Sequence, residues 1–159
     1  MQKKSVLLFC LSFFHYEEKL RQGLEALGYN VDHYDERPGN SLPVKAMLRL
    51  RLPGHRLLAG RHCRRVIAEN RDKDYDYVLV GKSEVLGREE IALLREAYPR
   101  AQFILYLWDG LENVPGGTEK LGLYDRVYTF DPEDAAKYGL HFRPLFYTGD
   151  YSRAQAPDR

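Results

Sequence analysis

Polar and aromatic side chains gather at the ends of the predicted strands. Successive extended segments are followed by His15 and Tyr16, then Asp35, Glu36 and Arg37, then Lys82, Ser83 and Glu84, then Trp108 and Asp109, and lastly Asp131 and Glu133. Parallel strands place their carboxyl ends at one edge of the sheet, where ligands bind in α/β folds. The pattern therefore predicts a binding or catalytic site at this edge.

His15 is the candidate general base of this set. An imidazole titrates near neutral pH and can take a proton from a hydroxyl group. Asp109 could orient that imidazole or bind a hydroxyl itself. Each residue also has a simpler interpretation, because a histidine that opens a helix is often an exposed polar residue and an aspartate often begins a loop.

The remaining candidates would bind substrate. Lys82 and Glu84 could hold a phosphate or a sugar hydroxyl, or they could simply pair with each other. Trp108, the only tryptophan, could stack on a sugar ring or fill the edge of the core. The predicted substrate-binding set is completed by Tyr16, Asp35 and Arg37.

Several nucleotide and metal motifs are missing from the sequence. The turn at residues 11–16 has no glycine, so a pyrophosphate could not approach its backbone as it does in dinucleotide-binding domains. There is no P-loop, HExxH, CxxC or GxSxG pattern. A receiver domain that accepts a phosphoryl group would need acidic residues after the first strand, where this chain has aromatic ones. We therefore expect no metal site.

Positive charge is concentrated between the second and third strands. The whole chain has a net charge of +1, but residues 45–73 hold nine basic and two acidic residues, a local charge of +7. This basic segment could face a membrane or an anionic acceptor, form a solvated helix face, or contact nucleic acid, although the near-neutral total argues against nucleic acid. In the first case the anion-binding side chains would be Arg49, Arg51, Arg56, Arg61, Arg64 and Arg65.

Strand-like and helix-like patterns alternate along the chain. This alternation is typical of a parallel sheet with helices on both faces. Residues 5–13 are too uniformly apolar for a half-exposed strand, so they predict a central strand that is buried on both sides. Pro53 and Gly54 should break the long basic helix into two pieces. Asp131 and Pro132 should begin another helix.

The predicted fold is a three-layer, Rossmann-like α/β domain with a mostly parallel sheet of five to six strands, in the order 2-1-3-4-5 with the sixth segment at the edge. In that order His15, Lys82 and Glu84 should converge, because the first and third strands flank the switch point. We assign residues 1–147 to this domain and residues 148–159 to a polar tail or the start of an interdomain linker. The longest apolar stretch is about half the length that a membrane-spanning helix needs, which predicts a cytoplasmic protein.

Several stretches resemble the N-terminal half of bacterial CgeB-like glycosyltransferases, which are often labelled lipopolysaccharide biosynthesis proteins. The most specific of them are LYLWD at residues 105–109 and FDPED at residues 130–134. The similarity covers nearly the whole chain, and its other parts are YDERP at residues 34–38, DYVLV at residues 76–80 followed by KSE, and FRPLFY at residues 142–147.

This resemblance implies the acceptor-binding half of a two-domain glycosyltransferase of GT-B architecture, acting in lipopolysaccharide or other cell-surface polysaccharide synthesis. The acceptor would be a saccharide or a lipid-linked molecule. A nucleotide-sugar donor would bind mainly to a C-terminal domain that this chain lacks, so the chain alone would bind no cofactor and would be inactive. His15 falls where several such enzymes carry a catalytic histidine. The protein would lie in the cytoplasm, at the inner face of the cytoplasmic membrane.

Two other hypotheses stand beside this one. The first is a non-catalytic scaffold domain that docks to a membrane or a partner through the basic segment at residues 45–73. The second is a small enzyme in its own right, although the sequence contains no complete catalytic set.

Overall fold

The computed structural model describes residues 3–12, 15–50 and 52–145. These residues form six strands and six α-helices, with a single 3₁₀ turn at Leu111–Asn113. The strands are β1 (Ser5–Phe9), β2 (Asn30–Tyr34), β3 (Tyr77–Gly81), β4 (Gln102–Leu107), β5 (Arg126–Thr129) and β6 (His141–Phe142). The helices are α1 (Tyr16–Ala26), α2 (Leu42–Arg49), α3 (His55–Glu69), α4 (Arg88–Ala97), α5 (Gly117–Leu121) and α6 (Pro132–Tyr138).

All six strands lie in one parallel sheet with the order β2-β1-β3-β4-β5-β6. The prediction of a three-layer α/β domain, with the sixth segment at the edge, is confirmed. In the register, Phe9 pairs with Tyr34 on one side and with Val80 on the other, and Gly81 pairs with Tyr106. The carboxyl ends of β1 to β4 therefore reach the same edge of the sheet, where the loops that follow them come together.

Strand β1 is buried on both faces, as its apolar sequence predicted. Leu7 and Phe9 join the larger core cluster, which includes residues of α3 and α4. Val6 and Leu8 join a smaller cluster against α1. Burying a large aliphatic side chain of this kind stabilises a fold by about 1.5–3 kcal/mol. The strand itself ends at Phe9, earlier than the predicted end at residue 13, which lies outside the described residues.

The basic segment forms two helices, and the break between α2 and α3 falls at Pro53 and Gly54 as predicted. Gly54 has a φ of 93°, a left-handed conformation that glycine adopts at little cost. Helix α3 buries one side, including His62, Cys63 and Val66. Its exposed side carries the arginines.

The chain end is described only in part. Strand β6 is shorter than the predicted segment at residues 142–147, and residues 146–159, including the predicted tail, lie outside the described residues. Within the described ranges, no helix combines the length and the apolar character that crossing a membrane requires.

Candidate functional site

Lys82 and Ser83, directly after β3, have an unusual backbone conformation. Their φ angles are 71° and 58°, in the left-handed region that residues with side chains rarely adopt. The Lys82 N–H donates to the Tyr106 carbonyl at 2.9 Å. The Ser83 Oγ donates to the Leu86 carbonyl at 3.0 Å and lies 2.9 Å from the Tyr124 hydroxyl. These contacts hold the turn in a conformation that would otherwise cost about 1–3 kcal/mol per residue, and such strain tends to occur at functional sites.

Four charged side chains from three strand ends form one chain of contacts, which we call the strand-end network. The Lys82 Nζ lies 2.7 Å from an Asp109 carboxylate oxygen and 3.9 Å from a Glu84 oxygen. The Arg37 Nη2 donates to both Glu84 oxygens, at 2.9 and 3.0 Å. The network is half-buried and links the loops after β2, β3 and β4. It brings together four of the predicted site residues.

Glu36, next to Arg37, is fully buried and fastens two of these loops to each other. Its carboxylate accepts the backbone N–H groups of Glu84, Val85 and Leu86 at 3.0, 2.6 and 2.7 Å. Burial raises the pKa of the Glu36 carboxyl, and the three backbone donors oppose that shift. The sequence predicts that Glu36 lies at a strand end but indicates no role for it. Its position directly after β2 was the available signal, but its partners are about fifty residues away in the sequence.

Trp108 covers the end of β3. A Cβ atom added to Gly81 would lie 2.4 Å from its indole ring, so the ring rests directly on the glycine backbone. The Tyr106 ring packs edge-on against the indole with 6.1 Å between ring centroids. Of its two predicted roles, filling the edge of the core is therefore the one that the contacts of Trp108 fit.

His15 and Tyr16 lie at the start of α1. The His15 side chain is 82% exposed and its Nδ1 is 3.8 Å from a Glu18 oxygen. Tyr16 is half-buried as the first residue of the helix. Asp109 contacts Lys82, while its predicted partner His15 lies beside Glu18. The base and orienting roles of His15 and Asp109 stay predictions.

Asp35 shapes the loop after β2. One carboxylate oxygen accepts the Arg37 N–H at 2.8 Å and the other accepts the Asn40 side-chain amide at 2.8 Å. The Asp35 carbonyl accepts a hydrogen bond from the buried His62 at 2.7 Å. Burial lowers the pKa of His62, which favours the neutral ring. These contacts fix the position from which Glu36 and Arg37 reach the loop after β3.

The arginines of the basic segment are dispersed over the surface of α3. Arg56 lies 3.5 Å from Glu89 and Arg65 lies 3.8 Å from Glu69, and all of these side chains are largely exposed. Arg61 and Arg64 are exposed on the same helix. Of the two other predicted anion-binding residues, the side chain of Arg49 and the whole of Arg51 lie outside the described residues. This arrangement is that of a solvated helix face.

A cleft of about 840 Å³ opens beside the strand-end network, between α3 and the loops that follow β3 and β4. We call it the α3–α4 cleft. Its lining includes the basic residues Arg37, Arg56, Lys82, Arg88 and Lys120 and the acidic residues Glu84, Glu89, Glu90 and Glu119. Among the residues that the structure describes, no group of three or more side chains is arranged to hold a metal ion.

The solved structures that match this chain include a signal receiver domain and a response regulator protein. A signal receiver domain of an HD domain-containing protein from Pseudomonas fluorescens Pf-5 matches with a TM-score of 0.51 and 14% sequence identity, over 87% of this chain and 85% of that chain. The response regulator protein TrrA from Thermotoga maritima, in complex with Mg(2+)-BeF, matches with a TM-score of 0.47 and 13% identity, over 87% of this chain and 95% of that chain. No family model and no curated protein matches the sequence.

This finding overturns the resemblance to CgeB-like glycosyltransferases, since the Pseudomonas structure of similar fold is a signal receiver domain and not an acceptor-binding domain. The structure gives the two most specific stretches another reason. LYLWD is the end of β4 with the Lys82 partner Asp109, and FDPED is the start of α6, where Asp131 accepts the N–H groups of Glu133 and Asp134. Short patterns of this kind recur wherever a strand ends or a helix begins.

The partners and functions expected on that basis are corrected with it. They are the acceptor-binding role in polysaccharide synthesis, the saccharide or lipid-linked acceptor, the missing C-terminal domain and the anionic membrane surface. The nucleotide-sugar donor rested on the same resemblance alone. The scaffold docked by the basic segment was a separate hypothesis that rested on the charge of residues 45–73, and it is corrected as well, because the structure of similar fold is a signal receiver domain. What the likeness to the Pseudomonas structure establishes is the architecture. The chain has the three-layer α/β fold of a flavodoxin-like receiver domain.

Proposed function

We propose that this chain is a regulatory domain of the signal-receiver type that does not take a phosphoryl group onto a carboxylate at its strand ends. The observation that carries this proposal is the contact between Lys82 and Asp109, with 2.7 Å between the ammonium nitrogen and a carboxylate oxygen. The cation stands directly after β3, beside the switch point at which ligands bind in folds of this order.

Phosphoryl transfer to a protein carboxylate needs a nucleophilic Asp or Glu and Mg²⁺, which is bound through one or two carboxylates. The described residues directly after β1 are Cys10, Leu11 and Ser12, and none of them is acidic. After β3 come Lys82, Ser83 and Glu84, of which Glu84 is the acidic residue.

The carboxylates of Asp109 and Glu84 are engaged by cations of the chain. The Lys82 ammonium lies between Asp109 and Glu84, so a divalent cation shared by those two side chains would have to displace it. Glu84 is also paired with Arg37. Lys82 therefore places a permanent ammonium group between two carboxylates, where a phosphate-accepting domain would bind its metal from solution.

The fold supports a signalling role, because the Pseudomonas structure of similar fold is a signal receiver domain. On this proposal the partner would be another protein of a signalling pathway. A cytoplasmic location goes with it, in keeping with the described part of the chain, where no helix could span a membrane.

Incubation with acetyl phosphate and Mg²⁺, followed by intact-protein mass spectrometry, tests the chemistry. We expect no phosphoryl adduct on the wild-type chain, and the same result for Asp109→Asn, its matched control. An adduct that forms on the wild type and disappears in the variant would identify Asp109 as an acceptor and would refute the proposal.

Hydrogen exchange tests the regulatory part. Lys82→Met removes the central charge of the strand-end network and keeps most of the side-chain volume. We expect faster amide exchange in the loop after β3 and also in α4, because the strand-end network braces that loop and α4 follows it directly. Arg61→Gln, on the exposed face of α3, is the control and should leave exchange unchanged. A change confined to the loop would contradict a regulatory role.

A further inference from the structure

The α3–α4 cleft has the size of a small-molecule site. Its volume of about 840 Å³ lies within the range of about 300–1,000 Å³ typical of ligand pockets. Basic side chains reach it from separate elements: the loop after β2, α3, the end of β3, α4 and α5, which contribute Arg37, Arg56, Lys82, Arg88 and Lys120.

Most of the carboxylates in the cleft are already engaged. Glu84 accepts from Arg37 at 2.9 and 3.0 Å, and Glu89 lies 3.5 Å from Arg56. Glu90 accepts the Gly87 N–H at 2.9 Å. A carboxylate that already accepts from a cation or an amide repels an incoming anion less than an unpaired one does.

Two arginines of the cleft keep donors to spare. Within the described ranges, the side chain of Arg88, the first residue of α4, makes no hydrogen bond or ion pair. Arg37 reaches Glu84 through Nη2 alone, so its Nε and Nη1 groups have no protein acceptor among the described residues. The first turn of α4 offers further hydrogen-bond donors, because its N-cap residue is Gly87, which has no side chain to accept the backbone N–H groups of that turn.

We propose that the α3–α4 cleft binds a small phosphorylated molecule, with the phosphate held by Arg88 and Arg37. Guanidinium groups form paired hydrogen bonds to phosphate oxygens, and a phosphate offers enough acceptors for donors that arrive from several elements. The volume left after a phosphate is placed is large enough for an attached organic group. Binding at this site does not require phosphoryl transfer, because no covalent bond to the ligand would form or break. It is therefore compatible with the proposed function.

Isothermal titration calorimetry with three probes tests the inference: ribose 5-phosphate, inorganic phosphate and ribose. We expect ribose 5-phosphate to bind and ribose not to bind. Inorganic phosphate should bind more weakly than ribose 5-phosphate if the organic group contributes, or equally if the site recognises free phosphate, and either result supports a phosphate site. Equal binding of ribose, or no binding of both phosphates at millimolar concentration, would overturn the proposal.

Variants separate a built site from general attraction by positive charge. Arg88→Gln should weaken phosphate binding by at least about tenfold, because it removes a charged partner of the anion. The control is Arg126→Gln, an exposed arginine at the amino end of β5 and so at the opposite edge of the sheet. It should leave the affinity unchanged. Equal losses in the two variants would mean non-specific attraction and would refute the site. Both arginines are exposed, so neither variant should impair folding, and circular dichroism checks this.

Discussion

Gly81 is the residue at the strand ends that has no room for a side chain. A methyl group there would lie 2.4 Å from the Trp108 ring, which must move to admit it. We therefore expect Gly81→Ala to destabilise the protein by about 1–3 kcal/mol, the usual cost of overpacking. Urea denaturation of the variant and the wild type would measure the difference.

The cause of that loss can be checked by shortening the indole. In the double variant Gly81→Ala with Trp108→Leu, the new methyl group meets a smaller neighbour. The loss of stability in the double variant should therefore be smaller than the sum of the losses in the two single variants. Strictly additive losses would show that the ring is not what excludes a side chain from Gly81.

Lys82 shows which contacts of a single residue can be predicted from the sequence. The predicted pairing with Glu84 appears in the structure at 3.9 Å, but the closer partner of Lys82 is Asp109. The predicted order of strands already placed β3 beside β4, so the proximity of their following residues was implied. The ion pair between Lys82 and Asp109 was not implied, because it depends on the left-handed turn at Lys82 and Ser83, which no sequence pattern marked.

At the scale of elements, Glu36 joins the loop after β2 to the loop after β3. Glu36→Gln keeps the shape of the side chain but turns an amide group toward backbone N–H donors, which leaves at least one of them unpaired. A buried unpaired donor costs about 1–3 kcal/mol, so we expect a loss of stability of that size. Thermal or urea unfolding would measure it, and amide exchange at residues 84–86 should quicken.

Glu89→Gln is the matched control for that experiment. Glu89 is an acid of α4 that is exposed and loosely paired, so its replacement should change stability by less than about 0.5 kcal/mol. If Glu36→Gln were as stable as this control, Glu36 would not fasten the two loops.

The elements themselves were largely predictable because their signals are local. Pro53 and Gly54 break a helix by their effect on the adjoining backbone, and Asp131 caps α6 by accepting hydrogen bonds from amides two and three residues away. The contact of Glu36 with the loop after β3 spans about fifty residues and depends on the completed sheet. The prediction of function was wrong for a related reason. The stretches that suggested a glycosyltransferase are strand ends and a helix cap, which many α/β proteins share.

At the scale of the whole molecule, the sequence assigns residues 148–159 to a polar tail without apolar periodicity. The described core draws its buried side chains from residues 6 to 129. We therefore expect a chain that ends at residue 147 to keep the melting temperature of the full chain, within about 2 °C. Differential scanning calorimetry of both chains checks this. A lower melting temperature would place part of the stabilising structure in the tail.

Trp108 gives the protein a built-in optical probe. It is the only tryptophan of the chain, and its indole rests on Gly81 next to the contact between Lys82 and Asp109. The tryptophan fluorescence of the protein, excited at wavelengths that its twelve tyrosines do not absorb, therefore arises at the strand ends and is sensitive to the charges and the water around them. Any event that rearranges this edge of the sheet should change the emission of the unlabelled protein. Events at the amino ends of the strands should leave the emission unchanged.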